Sequence, residues 1–377
     1  MLPRWRLWHV LVILATAITI YVGARQRRDF WDFEVYRTAG IRAVHAESLY
    51  RADDGHYQFK YWPAFAFASA PFGWIPDEAA KVVWFGLSVA CLVFVMRRSL
   101  LLLPDRRRSA TVLIGFTLLL TAKFIIKELV NGQTNLIMAA LALGALAAGQ
   151  RQRPGLAGLY VALATIAKPY ALILAPWVAV AFGGSALISV GAALAAALVL
   201  PALVYGWQGN LAQLQEWYAT VTSTTAPNLL LPENISYGTM WAKWIGPGST
   251  AGLLALISSV ALLAVAVWVW RRRQPVRSPG YLELSLLLLM VPLISPQGWD
   301  YVLLIGLPAY MCLVDRLGTL SVPWRGVAIT GILLTSFTVF DLMGRRLYIA
   351  SMAVSIVSIG ATLLIATLAH LRARALA

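Results

Sequence analysis

The chain has 377 residues, of which 60% are hydrophobic and 12% charged, and its formal net charge is +15 at pH 7. This composition, with a mean hydropathy of +0.72, excludes an ordinary soluble globular protein and predicts an integral membrane protein whose apolar runs cross the bilayer as helices. The arginines lie in short clusters between apolar runs and form no continuous basic face, which argues against nucleic-acid binding and reports topology instead.

The first apolar run extends from about residue 9 to residue 23. It lacks a small-residue cleavage site and is followed by Arg25, so we expect a retained membrane anchor. Further apolar runs recur along the chain, separated by basic clusters. These clusters are Arg4 and Arg6, residues 97 to 108, 151 to 153 and 271 to 277, Arg316 and Arg325, and Arg372 and Arg374.

Placing every basic cluster on the cytoplasmic side requires an even number of crossings between neighbouring clusters. Between Arg153 and Arg271 this holds if the first two apolar runs are separate spans that turn at Lys168, where Pro169 breaks the helix. The four runs cover about residues 156 to 169, 170 to 183, 184 to 206 and 250 to 270. The predicted fold is therefore an all-α polytopic membrane protein, with about twelve transmembrane helices in a single domain over residues 1 to 377.

This topology leaves two long segments on the extracytoplasmic side, residues 25 to 79 and 207 to 249. Polar residues collect in these segments and in the short turns on the same side, so we expect the functional site there, with interfacial helices in the long segments. Arg25, Arg27 and Arg28 also fall on this side, against the positive-inside trend.

An amphipathic helix is predicted in the first long segment. Phe33, Tyr36, Gly40 and Ala43 or Val44 recur at helical spacing, so the helix would lie along the outer membrane surface.

Asp32 stands at the start of this helix and allows two interpretations. It is either the N-cap, a role for which Asp29 competes, or a general base that deprotonates an attacking hydroxyl. Burial among Trp31, Phe33 and Tyr36 would raise the pKa of the carboxyl and strengthen it as a base.

Several stretches, in chain order, resemble glycosyltransferase family 87. The resemblance runs over roughly residues 30 to 310, and its motifs fall on one predicted face of the membrane. The stretches are DFEVYRTAG (32–40), SLY (48–50), FKYWPAFAFASAPFGWIPDEAAKVVW (59–84), NGQTNLIMAALALGAL (131–146), AGLYVALATIAKPYALIL (157–174), PENISYG (232–238) and SPQGWDYVLL (295–304).

The resemblance implies a GT-C type membrane mannosyltransferase that uses polyprenyl-phosphate mannose. It implies that Asp32, in the first extracytoplasmic segment, is the catalytic base, and it favours substrate-binding roles for Tyr36 and Tyr61. The chain departs from the family pattern at Asp300, where a histidine often follows the tryptophan.

Other polar residues of the same face are candidates for substrate binding. Lys168 either places its charge on the donor phosphate or extends to the headgroup layer. Asn131, Gln133 and Asn135 of NGQTN offer amides to sugar hydroxyls or a phosphate, or they form a tight turn in which Thr134 caps the next helix.

Two later loops supply the remaining candidates. In PENISYG, Asn234 is favoured as a polar loop contact over a glycosylated residue. In SPQGWDYV, Trp299 fits an interfacial anchor, whereas Asp300 is a candidate for sugar or acceptor binding.

The predicted function is an inverting glycosyltransferase that moves a hexose, with mannose favoured, from a polyprenyl-phosphate donor to a hydroxyl of a glycolipid or glycan. The predicted location is the cell membrane, with the active site on the extracytoplasmic side. The alternatives are a transporter or lipid flippase and, if Asp32 is only a cap, a noncatalytic lipid-binding scaffold. The expected partners are the donor, the acceptor and membrane lipids, without nucleic acid, metal or cofactor, because the sequence lacks metal-ligand and nucleotide-binding motifs.

Overall fold

The computed structural model describes residues 30 to 272 and 279 to 374. The first apolar run, the arginines from 25 to 28 and Asp29 lie outside the described residues. Within those ranges the chain forms sixteen α-helices, and its β-structure is limited to one isolated antiparallel bridge between Asn234 and Trp299. The all-helical prediction is confirmed.

The first eight helices follow apolar or amphipathic runs of the sequence. Proline opens α2 and α6, where its fixed φ suits the first helical turn, and the Ser109 hydroxyl caps α4 by accepting a hydrogen bond from the Val112 N–H. The bounds are α1 Trp31–Val44, α2 Pro63–Ser69, α3 Asp77–Leu102, α4 Ala110–Asn131, α5 Asn135–Gln150, α6 Pro154–Ala167, α7 Leu174–Phe182 and α8 Gly184–Val199.

The second eight helices complete the bundle. The bounds are α9 Ala202–Asn228, α10 Tyr237–Ile245, α11 Ser249–Arg271, α12 Gly280–Ile294, α13 Leu307–Arg316, α14 Val322–Ser336, α15 Phe340–Ala353 and α16 Ile356–Arg374. Five short 3-10 segments lie between helices along the whole described chain, at Ala52–Tyr57, Ala70–Trp74, Pro169–Ile173, Asp300–Gly306 and Leu317–Thr319.

In the described part of the chain, five helical segments are long and apolar enough to cross a membrane. The number rises to seven if two bent pairs each form one span: α8 with α9, bent by 88°, and α14 with α15, bent by 99°. Four shorter apolar helices accompany them: α5, α6, Pro169–Phe182 and α12. The chain is therefore a helical protein of membrane type, and the count of about twelve crossings stays a prediction.

The predicted break after the span that begins near residue 156 is confirmed. Helix α6 ends at Ala167, Lys168 has an extended backbone (φ −148°, ψ 106°), and Pro169 opens the next helical segment. A residue before proline is pushed out of the helical region by steric conflict with the proline ring, which explains the break.

The predicted span from 184 to 206 is shorter in the structure. Helix α8 ends at Val199, and α9 begins after Pro201 and continues to Asn228. Much of the second long segment, residues 207 to 249, is helical, in line with the helices expected there, and Gly206, with φ +68°, interrupts α9 near its start.

One end of the bundle carries Arg107, Arg108 and Arg316, and we call it the basic end. There the backbone N–H groups of Arg107 and Arg108 each donate to Asp315 Oδ1 at 2.9 Å. Helix α4 starts beside this contact and has 22 residues, so it is about 33 Å long. The turn that follows Asn131 therefore lies at the opposite end, which we call the site end.

Helix α1 packs at the site end through the face that the sequence predicted. Phe33, Tyr36, Gly40 and Ala43 are all buried, whereas Val44 is exposed. The Phe33 ring lies 5.1 Å from the Trp84 ring, centroid to centroid. The helix is thereby held against α3.

Gly132 allows α1 to approach the turn after α4. Its φ of +67° lies in the left-handed region, and an added Cβ would lie 2.8 Å from the Phe33 Cβ. The Trp84 indole N–H also donates to the Gly132 carbonyl at 2.9 Å. Both the backbone conformation and the close packing therefore require glycine.

We predict that Gly132→Ala destabilises the protein by about 1–3 kcal/mol because it combines left-handed strain with a clash against α1. Thermal unfolding of the purified protein in detergent measures the loss. Gly86→Ala is the matched control, since Gly86 has normal helical geometry and open space around its Cα. Equal unfolding temperatures for the two variants would contradict the role of Gly132.

Candidate active site

A cavity of about 1010 Å³ opens at the site end. It is bounded by α1, residues 56 to 61, the turns after α4 and α6, part of α9 and the segment from 294 to 302. Seven of the ten residues predicted for the site line it: Asp32, Tyr36, Tyr61, Asn131, Gln133, Lys168 and Trp299. The tertiary structure thus brings together residues that are far apart in the sequence.

Asp32 lies in the first turn of α1 and does not serve as its cap. The N-cap position is Phe30, and the helix has no side-chain cap hydrogen bond. Asp32 Oδ2 instead accepts a hydrogen bond from Gln133 Nε2 at 2.6 Å. The capping interpretation is therefore wrong for Asp32, and its carboxylate belongs to the cavity wall.

Gln133 is the centre of the hydrogen-bond network. Its Nε2 group donates to Asp32 and, at 3.2 Å, to the Tyr301 hydroxyl. Its Oε1 atom accepts from Lys168 Nζ at 2.8 Å and from the Tyr36 hydroxyl at 3.2 Å. An amide has two N–H donors and two acceptor lone pairs, so all four positions of this buried side chain are used.

The network has one consistent donor direction. An ammonium group can only donate, so Lys168 fixes Gln133 Oε1 as the acceptor and leaves Nε2 to face Asp32. Lys168 Nζ also donates to the Tyr61 hydroxyl at 2.8 Å, and Tyr61 lies 2.8 Å from the Tyr36 hydroxyl. Hydrogen bonds therefore lead from the ammonium to the carboxylate.

Lys168 is buried in the wall of the cavity. Besides its two hydrogen bonds, Nζ lies 5.0 Å from the centroid of the Tyr61 ring. The interpretation of Lys168 as a side chain that extends to the headgroup layer is therefore wrong. Two of its three N–H donors are accounted for within the described part of the chain.

Burial raises the pKa of the Asp32 carboxyl above its ordinary value. Attraction to Lys168 and the Gln133 hydrogen bond lower the pKa and so oppose this rise. The positive charge of Lys60 also lowers it, as that of Lys168 does. The pKa of Lys60 is itself lowered by burial, and the neighbouring Asp32 counteracts part of that shift. A carboxyl with a raised pKa is a stronger proton acceptor, when ionised, than an ordinary carboxylate.

Asp300 lies behind the cavity wall. Its carboxylate is buried and pairs with Lys127 Nζ at 2.9 Å and with Lys123 Nζ at 3.8 Å. Lys127 lines the cavity, whereas Asp300 does not. In this geometry Asp300 holds Lys127 in place through the ion pair. The predicted contact of Asp300 with the sugar or the acceptor gains no support.

Asn234 is also placed behind the wall, where it joins two loops. Its Nδ2 donates to the carbonyls of Asn228 at 3.1 Å and Pro296 at 3.2 Å. The Ile235 N–H donates to the Gly298 carbonyl at 2.7 Å. The two polar loops predicted around Asn234 and Trp299 are thus paired with each other.

Asn135 reaches the site through another residue. It accepts a hydrogen bond from the Tyr170 hydroxyl at 2.7 Å and donates to the buried Glu128 at 2.7 Å. Tyr170 lines the cavity, and Asn135 does not. The Thr134 hydroxyl, predicted as a cap, makes no side-chain cap hydrogen bond.

Sequence reasoning missed several residues of the cavity wall. Lys60, Tyr170 and Tyr301 each stand within a stretch that carried the family resemblance, so that context was a usable signal. Glu233 stands in PENISYG, another of these stretches, whereas Trp217 lies in α9, outside all of them, and had no comparable signal. In the described ranges, no group of three or more His, Cys, Asp and Glu residues could hold a metal ion.

The described part of the chain is thus an apolar helical bundle with a carboxylate and buried cations around a cavity at one end. The family model of glycosyltransferase family 87 matches residues 59–296, which is more than half of the chain, and the protein therefore belongs to that family. No curated protein matches the chain.

The matched range contains Tyr61, Gln133 and Lys168 but not Asp32 or Tyr301. The hydrogen bonds of Gln133 connect these outer residues to the matched region. The site is therefore continuous with the part of the chain that defines the family.

We predict that Lys168→Met moves the acidic limb of the kcat/KM profile to higher pH. Lys168 stabilises the charged form of Asp32, so its removal raises the pKa of the carboxyl. If Asp32 serves as the base, it is then protonated and inactive at a higher pH. Glycosyl transfer measured from pH 5 to 9 checks this.

Two further variants serve as controls for that measurement. Lys168→Arg keeps the charge and should leave the limb near its wild-type position. Lys60→Met should shift the limb less, because Lys60 contributes less to the pKa of Asp32. An unchanged profile in Lys168→Met would remove Asp32 as the titrating base.

Proposed function

We propose that this glycosyltransferase moves a hexose, with mannose favoured, from a polyprenyl-phosphate donor to an acceptor hydroxyl of a glycolipid or glycan, with inversion. The observation that carries the proposal is the Asp32 carboxylate, held beside Lys168 by one amide in a large cavity at the end of an apolar bundle. Family membership favours a transferase over a transporter or flippase.

The proposed reaction needs one base and one group that stabilises the leaving phosphate. Asp32 takes the proton of the acceptor hydroxyl, whose oxygen forms a bond to C1 of the sugar. The bond between C1 and the phosphate oxygen breaks on the opposite face, and its electron pair leaves with the polyprenyl phosphate. Lys168 and Lys60 offset the charge that develops on that phosphate.

The cavity also has an apolar part that fits a prenyl chain. Leu172, Ile173, Val221, Ile294 and Val302 line it. Leu172 is 48% exposed, so this part of the wall reaches the outer surface of the bundle. A lipid donor held there would leave its phosphate near Lys168, and the chemistry requires no metal ion or other cofactor.

We propose that the single domain crosses the membrane twelve times. The five long segments, the two bent pairs and the four shorter apolar helices are eleven segments, and the first apolar run of the sequence supplies the twelfth. With the basic end in the cytoplasm, the site end faces the extracytoplasmic side of the cell membrane.

We predict that Asp32→Asn lowers kcat by at least about 100-fold, because the amide keeps the shape of the side chain but cannot accept the proton. Purified protein is incubated with polyprenyl-phosphate mannose and an acceptor mixture, and transferred hexose is detected by mass spectrometry. Asp53→Asn, a change of an exposed acid outside the cavity, should retain activity. Near-normal transfer by Asp32→Asn would end the assignment of the base.

We predict opposite labelling of cysteines placed at the two ends of the bundle. In intact cells an impermeant thiol reagent should label Asp53→Cys, at the site end, and not Arg107→Cys, at the basic end. Both positions are exposed in the structure, so permeabilised cells should show labelling of both. Labelling of Arg107→Cys alone in intact cells would invert the topology.

A further inference from the structure

Two aromatic rings at the cavity are not used by the chemistry described above. Trp31 and Tyr57 stack with their centroids 5.2 Å apart and their planes at 17°. Both line the cavity, yet they are 47% and 44% exposed. Trp31 directly precedes Asp32 in the chain, so the stack lies next to the carboxylate.

The segment that carries Tyr57 is polar. None of the residues in Ala52–Tyr57 is buried. The segment is fixed to α1 by Arg42, which donates to both carboxylate oxygens of Asp54. A bidentate arginine–carboxylate pair is geometrically specific, so Tyr57 is held beside Trp31.

The surroundings of the stack differ from those of a membrane anchor. Anchoring Trp and Tyr residues place their rings at the headgroup level, next to apolar surface. Here the chain beside Tyr57 consists of Asp53, Asp54, Gly55 and His56, and the exposed rings belong to the cavity that holds Asp32. The stack therefore lies on the polar side of the cavity.

An exposed aromatic face beside polar side chains suits a sugar ring. A pyranose has a face of C–H groups that packs on an aromatic ring, and hydroxyls at its edge that need hydrogen-bonding partners. His56, Gln58 and Lys60 line the cavity near the stack and offer such partners. A simple lipid alcohol would use neither feature.

We propose that Trp31 and Tyr57 form a stacking platform for a sugar ring of the glycan or glycolipid acceptor. This inference rests on the proposed function and names the residues that select an acceptor with a sugar ring over a simple alcohol. The platform presents a hydroxyl of the ring to Asp32, while the prenyl chain of the donor occupies the apolar part of the cavity.

The test compares acceptors with and without a pyranose ring. Purified protein in lipid nanodiscs receives polyprenyl-phosphate mannose together with methyl α-D-mannopyranoside, methyl α-D-glucopyranoside or glycerol. Wild-type protein should prefer the glycosides. Trp31→Ala and Tyr57→Ala should each lower the ratio of glycoside to glycerol kcat/KM by roughly tenfold, chiefly through KM, as expected for the loss of one aromatic contact.

Two variants make the comparison specific. Tyr57→Phe keeps the ring and should retain the wild-type ratio. Trp74→Ala removes an aromatic ring that is 73% exposed in the same long segment but does not line the cavity, and it should behave as wild type. Equal losses for glycosides and glycerol in Trp31→Ala would overturn the platform and assign the rings to membrane anchoring or stability.

A binding measurement separates this inference from the proposed reaction. If wild-type protein transfers the sugar of the donor neither to any of the acceptors nor to water, the proposed function fails. Calorimetry with methyl α-D-mannopyranoside and the Asp32→Asn variant still tests the platform, because binding needs no turnover. Binding to the Asp32→Asn variant that disappears in the Asp32→Asn, Trp31→Ala double variant supports the platform. The platform is overturned if the Asp32→Asn variant does not bind the glycoside, or if the double variant binds it equally well.

Discussion

The structure of the site depends on one amide that holds a carboxylate and an ammonium group at a fixed separation. Buried charges are costly unless they are paired and hydrogen-bonded, and Gln133 meets this need for Asp32 and Lys168 together. Its four hydrogen bonds leave no free position for a ligand, so in this arrangement Gln133 holds Asp32 and Lys168 in place. The expectation that Gln133 contacts substrate directly gains no support from this geometry.

Several features of the fold make that contact possible. Gly132 lets α1 approach the turn after α4, and this places Asp32 beside the amide. The break before Pro169 takes Lys168 out of a helix and turns its side chain into the network. Backbone geometry at two short turns therefore sets the electrostatics of the site. The turn at Gly132 positions Asp32, and the break before Pro169 positions Lys168.

The cavity combines surfaces that suit two chemically different substrates. Its apolar wall includes Leu172 and Ile294, and its polar side carries Lys60 and the stacked Trp31 and Tyr57. A transferase that joins a lipid-borne sugar to a hydroxyl has to bind both partners at once and to bring them together over one base. The placement of Asp32 next to the aromatic stack and near Lys168 fits that requirement.

The sequence by itself determined the membrane class, the family resemblance, the break at Lys168 and the buried face of α1. These follow from composition, local periodicity and the geometry of residues next to proline, which act over a few residues. Only the tertiary structure decided three contacts. Gln133 hydrogen-bonds to both Asp32 and Lys168, Lys127 forms an ion pair with Asp300, and Asn234 donates to the Pro296 carbonyl of a second loop. These contacts join positions far apart in the chain, and they depend on which helix ends meet, a property that no local pattern encodes.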